Sequence, residues 1–311
     1  MSKGAPAPFE AVNNQLRRVW AEGRKPDFIR VRTVLLDAAW AGSGPVLAQL
    51  IKSKGVALRF YLLTLFDAQC RLAPEEEWNS TRALAGRNSW ADFLALDGAY
   101  SSETGSYMRP TKQERDAQTL RVRQVQGALR TLEALGEQRR RALVEVPRKT
   151  NGRGRDYAAF SVMKESGRGD LQTPDRYTVP HRDTAERVSL VPVDFFLKGW
   201  VQVLHPSEVA TWLVLLTLSQ QMPGSHAASG VYLYANRRME RYGLRRDAYE
   251  DACSWLRAFG LLGPTPAGRT ASNQRYQPNR HQISYEGLAQ SALQKVLKEI
   301  TIRKGEIRRQ V

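Results

Sequence analysis

The chain has 311 residues, enough for about two ordinary domains, each with its own core. Its 47 Lys and Arg against 31 Asp and Glu leave a formal net charge of +16, which points to a polyanionic partner because clustered cations gain affinity by releasing condensed counterions from phosphates. Only Cys70 and Cys253 are present and the four histidines show no metal spacing, which excludes a disulfide framework and a cysteine zinc site, and no run approaches the roughly 20 apolar residues of a spanning helix.

In chain order, residues 1–27 read as a flexible basic segment with a short helix over 9–20. Residues 28–36 alternate as a strand, and 56–69 form an apolar helix rich in Leu, Phe and Tyr. Between 71 and 104, Glu75-Glu76-Glu77 and the apolar run Trp90-Ala91-Asp92-Phe93-Leu94 predict a small helical insertion with an acidic edge. A short strand follows at 105–109, Thr111 caps a helix, and a second helix runs from about 122 to 135. Strands near 142–146 and 156–162 then flank the tip Pro147-Arg148-Lys149-Thr150-Asn151-Gly152-Arg153-Gly154-Arg155, whose glycines allow close backbone approach to a groove. Residues 164–186, rich in Gly, Pro, Asp and Arg without apolar periodicity, read as a linker.

The second half begins with a strand at 188–193 and a turn holding Phe195, Phe196 and Trp200. Pro206 suits the first turn of a helix that continues over 207–221, and 230–234 is again a strand. Asn236 caps a helix over 237–242, a second helix spans 246–259, and another tip lies near 268–274. Residues 284–300 are expected as one amphipathic helix with Leu288, Leu293, Val296, Leu297 and Ile300 on its apolar face, and 303–309 form a basic end.

This order of elements is written twice. Arg30, Val31, Val34 and Asp37 recur with the same spacing as Arg187, Val188, Val191 and Asp194, and Leu62-Leu63-Thr64-Leu65 recurs as Leu215-Leu216-Thr217-Leu218. Leu120, Leu132 and Gly136 match Leu244, Leu256 and Gly260, so the first copy is the longer by the stretch between Arg71 and Thr104. A period this long describes two similar domains rather than a solenoid.

Tyr242-Gly243-Leu244-Arg245-Arg246-Asp247-Ala248-Tyr249, leading to Leu256-Arg257-Ala258-Phe259-Gly260-Leu261-Leu262, resembles the helix-turn-helix and start of the wing in winged-helix regulators of the MarR and GntR type. Leu120-Arg121-Val122-Arg123-Gln124-Val125, leading to Leu129-Arg130-Thr131-Leu132-Glu133-Ala134-Leu135-Gly136, is similar. The resemblance implies a mainly α fold with small β wings: two tandem winged helix-turn-helix domains at 28–163 and 187–285, with the insertion at 71–104, the linker at 164–186 and a helix with a basic tail at 286–311. Tandem units in one basic chain resemble plasmid replication initiators in architecture; the alternatives are a transcriptional regulator acting as a built-in pseudo-dimer and a partition or nucleoid protein of low specificity. The implied partners are double-stranded DNA and host replication or transcription proteins, with the chain a monomer or dimer on DNA.

A recognition helix buries one face and offers the other. In the first copy Val125, Ala128, Leu129 and Leu132 belong to the core, leaving Arg121, Arg123, Gln124, Gln126, Gly127 and Arg130 outward. Arg can bond guanine and Gln adenine in pairs, and Gly127 removes a side chain where the helix meets a groove. In the second copy Ala248, Tyr249, Ala252, Cys253, Leu256 and Phe259 are core; Arg245 and Arg246, with Arg269 and Arg275 of the tip, are the DNA candidates, while Asp247, Glu250 and Asp251 repel phosphates. Arg148, Lys149, Arg153 and Arg155, preceded by Arg139, Arg140 and Arg141, suit phosphates or the minor groove.

No catalytic residue is expected. His181-Arg182-Asp183 lacks the Asn and glycine loop of a kinase, Ser161 to Lys164 ends a strand instead of opening a helix, and Gly42-Ser43-Gly44-Pro45 lacks a P-loop ending. Neither a metal nor a cofactor is expected, and residues 1–8 lack a secretory apolar region, so a cytoplasmic, nucleoid-associated protein is anticipated.

Overall fold

The computed structural model describes all residues except 1–6, 38–43, 53–55, 96–98, 102–105, 109–116, 151, 171, 182–184, 227–229, 264–279 and 311. It is mainly α, about 53% helical, with small antiparallel sheets. Helix α1 (Ala7–Glu22) precedes strand β1 (Phe28–Arg32); α2 (Val46–Lys52) and α3 (Ala57–Arg71) follow, then β2 (Ala99–Ser101), β3 (Ser106–Met108), α4 (Ala117–Glu133), β4 (Val144–Glu145) and β5 (Ser161–Val162). The second half holds β6 (Val188–Pro192), α5 (Asp194–Leu197), α6 (Trp200–Val203), α7 (Pro206–Gln221), α8 (Pro223–His226), β7 (Val231–Tyr232), α9 (Ala235–Tyr242), α10 (Arg246–Ala258), β8 (Leu262–Gly263), β9 (Arg280–Ile283), α11 (Tyr285–Leu288) and α12 (Ala292–Gln310).

The two halves of the chain meet strand to strand. β1 pairs antiparallel with β6, from Phe28 opposite Pro192 through Arg30 opposite Leu190 to Arg32 opposite Val188, with Ile29, Val31 and Val191 turned into the core. Each outer edge is closed by a glutamine. Gln69 of α3 accepts from Arg30 N and donates to Arg30 O, both at 2.8 Å, and Gln220 of α7 does the same to Leu190 N and O, both at 2.8 Å. Thr33 N donates to Arg187 O and Val193 N to Asp27 O, each at 2.9 Å. The ribbon therefore has a near-twofold axis through its middle. In the strand, Leu190 takes the place of Arg30, three residues further on than the repeat of Arg30 as Arg187 implies, because backbone bonds define equivalence here and the outward side chains are free to differ.

Helices α3 and α7 are buried almost all round, as expected of segments with so few charges. Pro206 opens α7, and Glu208 reaches back to accept from His205 N at 2.8 Å. In the second half β7, β9 and β8 form one sheet in that order, Val231 opposite His281 and Leu262 opposite Ile283. Helices α9 and α10 are joined by a turn at Gly243 (φ +63°), where Gly243 N donates to Met239 O and Leu244 N to Arg238 O. A Cβ on Gly243 would collide with that of Ala48, so this turn is seated on α2 of the first half.

The first half departs from this plan. β4 pairs with β5 (Val144 opposite Val162), but β3 pairs with β2, and the other side of β5 is met by Asn79 and by Ser80 N, which donates to Phe160 O at 3.3 Å. The insertion is not the small helical unit its composition suggests. Its only described helical turn is the 3₁₀ turn Trp90–Phe93, and Trp78, Trp90 and Phe93 are buried beside Phe60 and Phe160, with ring centroids 5.2–5.9 Å apart. Large rings without a helical period reach the core more readily from irregular backbone. Glu75, Glu76 and Glu77 remain exposed.

The stretch expected as a linker is folded onto the first half. Met163 bridges to Arg176 and Gly169 to Pro174, Tyr177 and Val179 are buried, and Glu165 is fully buried. Glu165 accepts from Arg32 N at 3.1 Å and from Arg32 Nη1 at 2.9 Å, while Arg32 also donates to Glu186 and to Thr178 O. Burial opposes the charge on Arg32, and the two carboxylates more than offset it, raising its pKa.

The termini are also more integrated than expected. Val12 and Leu16 of α1 are buried, and Gly199 (φ +86°) leaves no room for a Cβ beneath Phe9, so α1 contacts the second half. The helix expected over 284–300 is broken into α11 and α12, because Leu288 O accepts from Trp200 Nε1 at 3.0 Å and Ala292 N donates to Lys198 O at 3.1 Å. Leu288 is buried, Leu293 and Val296 are half-buried, and Leu297 and Ile300 are exposed.

Candidate nucleic-acid interface

Helix α4 begins at Ala117, five residues before the expected start at 122, and the helix expected from Thr111 falls outside the described residues. Val125, Ala128, Leu129 and Leu132 are buried as expected. Successive residues turn by about 100°, so Arg123, Gln126, Gly127 and Arg130 share one stripe. Arg123 and Arg130 are exposed, Gln126 and Gly127 partly so, and a Cβ on Gly127 would meet nothing within 4 Å. Packing does not require that glycine; it keeps the surface low between two guanidinium groups and an amide. Gln124 lies on the helix flank and Arg121 on the core side near the helix start; both are half-buried and neither joins the stripe.

Past α4, Gly136 (φ +74°) turns the chain, and Leu143 N donates to Leu132 O at 3.0 Å; in the second half Gly260 (φ +78°) does the same and Leu261 N donates to Leu256 O at 2.8 Å. Residues 137–142 are thus an addition peculiar to the first half. It carries Arg139, Arg140 and Arg141, with Gln138 and Arg139 in left-handed backbone that turns the exposed Arg139 and Arg140 outward.

Between β4 and β5 the basic tip is closed by Lys149 N to Gly154 O (3.2 Å) and Gly152 N to Lys149 O (2.8 Å), with Gly152 and Gly154 at φ +69° and +85°. Arg148, Lys149 and Arg153 are exposed on it. Arg155 behaves differently from its neighbours. Its Nη1 donates to Glu133 Oε1 at 2.6 Å and to Val146 O at 2.7 Å, so it ties the tip to the last turn of α4. Glu133 also accepts from Val146 N at 3.3 Å. The lone acid near the end of an otherwise basic helix was the available signal for this role.

In the second half Tyr249, Ala252, Cys253, Leu256 and Phe259 are buried as expected, with Ala248 half-buried. The outward face of α10 is acidic: Asp247, Glu250 and Asp251 are exposed, and Arg246 is bound to Glu250 at 2.9 Å. Arg245 is exposed at the N-cap, and Arg269 and Arg275 lie outside the described residues. Sequence reasoning passed over the arginines of α9. Arg238 donates to Leu244 O at 3.2 Å and lies 5.2 Å over the Tyr249 ring, bracing the turn. Arg241 grips the Asp37 carboxylate, with Nε 3.1 Å from Oδ1, which raises the arginine pKa and fastens the second helix pair to the first half.

Burial pushes both thiols up, Cys253 to about 11, so both act as small core residues. His281 is buried against Tyr249 with neither ring nitrogen hydrogen-bonded, and burial lowers its pKa to about 4. Among the described residues no group of three or more His, Cys, Asp or Glu is placed to hold a metal ion, and no helix is long and apolar enough to cross a membrane. No protein-family model matches the chain, and neither a curated protein nor a solved structure matches it.

Proposed function

We propose that this chain binds double-stranded DNA sequence-specifically through two tandem winged helix-turn-helix units joined across the β1–β6 ribbon. The stripe formed by Arg123, Gln126 and Arg130 around the open Gly127 carries this reading. It offers two guanidinium groups and an amide on a helix whose other face is core, the donor set that reads guanine and adenine edges in a major groove. The second half supports it through the order α7, the short α8, β7, α9, turn, α10, β8, β9 and the sheet order β7-β9-β8, the arrangement of a winged helix. Arg148, Lys149 and Arg153 grip phosphates; Arg155 holds the tip in place.

The two recognition faces differ. One is basic around Arg123 and Arg130; the other is acidic around Asp247, Glu250 and Asp251. Identical half-sites need identical faces, so the near-twofold axis does not make the chain a reader of palindromes. This favours directly repeated, asymmetric sites, such as a replication origin offers, over the inverted repeat of a repressor. The test is selection of binding sites from random duplexes followed by footprinting. The expected result is an asymmetric site with protection over two adjacent major-groove segments about 34 Å apart; recovery of perfect inverted repeats would favour the regulator reading.

A further inference from the structure

The second half carries a cleft that the duplex reading leaves unused. It has a volume of about 270 Å³ and lies between the end of α7, His226 of α8, β7 and the start of α9. Arg187, Arg237 and Arg241 line it together with Met222, Tyr232 and Tyr234, and no acidic residue lines it among the described residues. Tyr234 is 49% exposed and Met222 53% exposed, large apolar surface that a merely solvated cleft does not need. The rings are set at right angles: Tyr232 and Tyr234 have centroids 5.2 Å apart at 85°, and His226 meets Tyr232 at 5.9 Å and 84°. Arg280 covers the Tyr232 ring at 5.2 Å, so Tyr234 is the ring whose surface is offered outward. Arg241 is neutralised by Asp37, whereas the Arg237 side chain is exposed at the mouth.

An apolar ring surface, flanking guanidinium groups and no carboxylate suit a ligand with a flat π face and a negative charge. An unpaired nucleotide has both, and a base inside a duplex cannot present its face. We propose that this cleft binds an unpaired nucleotide, with the base on Tyr234 beside Met222 and the phosphate toward Arg237 and Arg187. The site lies on β7 and α9, apart from the Arg123 stripe, and the proposal rests on the duplex reading only for the supposition that the strand is DNA.

The experiment titrates the full chain with a fluorescent oligodeoxythymidylate, with dTMP as competitor and a duplex as the parallel arm, for the natural sequence and for Tyr234→Ala, Tyr234→Phe and Arg123→Ala. Tyr234→Ala should weaken oligonucleotide binding about tenfold, Tyr234→Phe should restore it, and duplex binding should be unchanged in both. Arg123→Ala should leave the oligonucleotide arm intact. Competition by dTMP near the concentration of bound oligonucleotide sites would identify the free nucleotide as the source, and competition only by the oligomer a single strand. Absent oligonucleotide and dTMP binding, equal binding by Tyr234→Ala, or a parallel loss in the duplex arm overturns the proposal. Loss of duplex binding by Arg123→Ala alone speaks to the duplex reading and not to this cleft. The exposed position of Tyr234 predicts an unchanged melting temperature, which separates a binding loss from unfolding.

Discussion

Gln69 and Gln220 perform the same act on opposite edges of one two-stranded ribbon, each closing the N–H and C=O of the residue at its centre. An exposed strand edge is a template for unwanted pairing, and here it is sealed by side-chain amides. Gln69 also donates to the Tyr177 hydroxyl at 2.9 Å, a bond outside the pair that Gln220 makes. Gln220→Ala should therefore cost about 1–3 kcal/mol through an unsatisfied peptide group, and Gln69→Ala should cost more. Urea denaturation measures both; equal or negligible losses would contradict the role assigned to the pair.

Arg32 and Glu165 form a buried ion pair that fastens 163–179 to β1. Glu165→Gln removes one of the two carboxylates that hold Arg32 and leaves Glu186 as its remaining counter-charge, so it should destabilise by about 1–3 kcal/mol, less than a wholly unpaired buried charge would cost. Replacing both residues by apolar ones of similar size should recover much of that loss. If the double variant is as unstable as the single one, the pair does more than satisfy its own charges.

His281 gives the second unit a defined pH response. Its pKa is lowered to about 4 in the folded chain, against about 6.5 when unfolded. Between these values the unfolded state binds the extra proton, so stability rises with pH and is lost as pH falls from 6.5 to 4. The full shift amounts to about 3 kcal/mol. His281→Leu should flatten that part of the curve, measured by denaturation at pH 4 to 7; an unchanged slope would assign the acid sensitivity elsewhere.

The basic tip separates gripping from holding. Arg153→Ala should weaken duplexes of any sequence alike and reduce the salt slope by about one unit. Arg155→Ala should lower stability by about 1–3 kcal/mol, because Glu133 and the Val146 carbonyl lose their donor. Titrations across salt, paired with denaturation, would refute the division if both variants behaved alike.

Local signals made the second half legible: Pro206 at the first turn of α7, Gly243 where a left-handed turn is needed between α9 and α10, and the 3.6-residue period of Tyr249, Cys253 and Leu256. The non-local features were hidden. Tyr177, Val179 and Glu165 lie in a stretch too polar to show periodicity, yet they complete a core built by residues a hundred positions earlier. The meeting of β1 with β6 is invisible for the same reason, since short strands carry no record of their partner. At the candidate interface the stripe of Arg123, Gln126 and Arg130 follows from helical period, whereas the tie between Arg155 and Glu133 depends on a fold that brings the tip back to α4.

We propose that α4 reads base edges. Titration of Arg123→Ala against its selected duplex and a scrambled duplex of equal length, at several salt concentrations, tests it most directly. A loss of about 1–3 kcal/mol on the selected site, with much less on the scrambled one, is the expected result. Equal weakening of both duplexes, or none, would show that the Arg123, Gln126 and Arg130 stripe does not read the major groove.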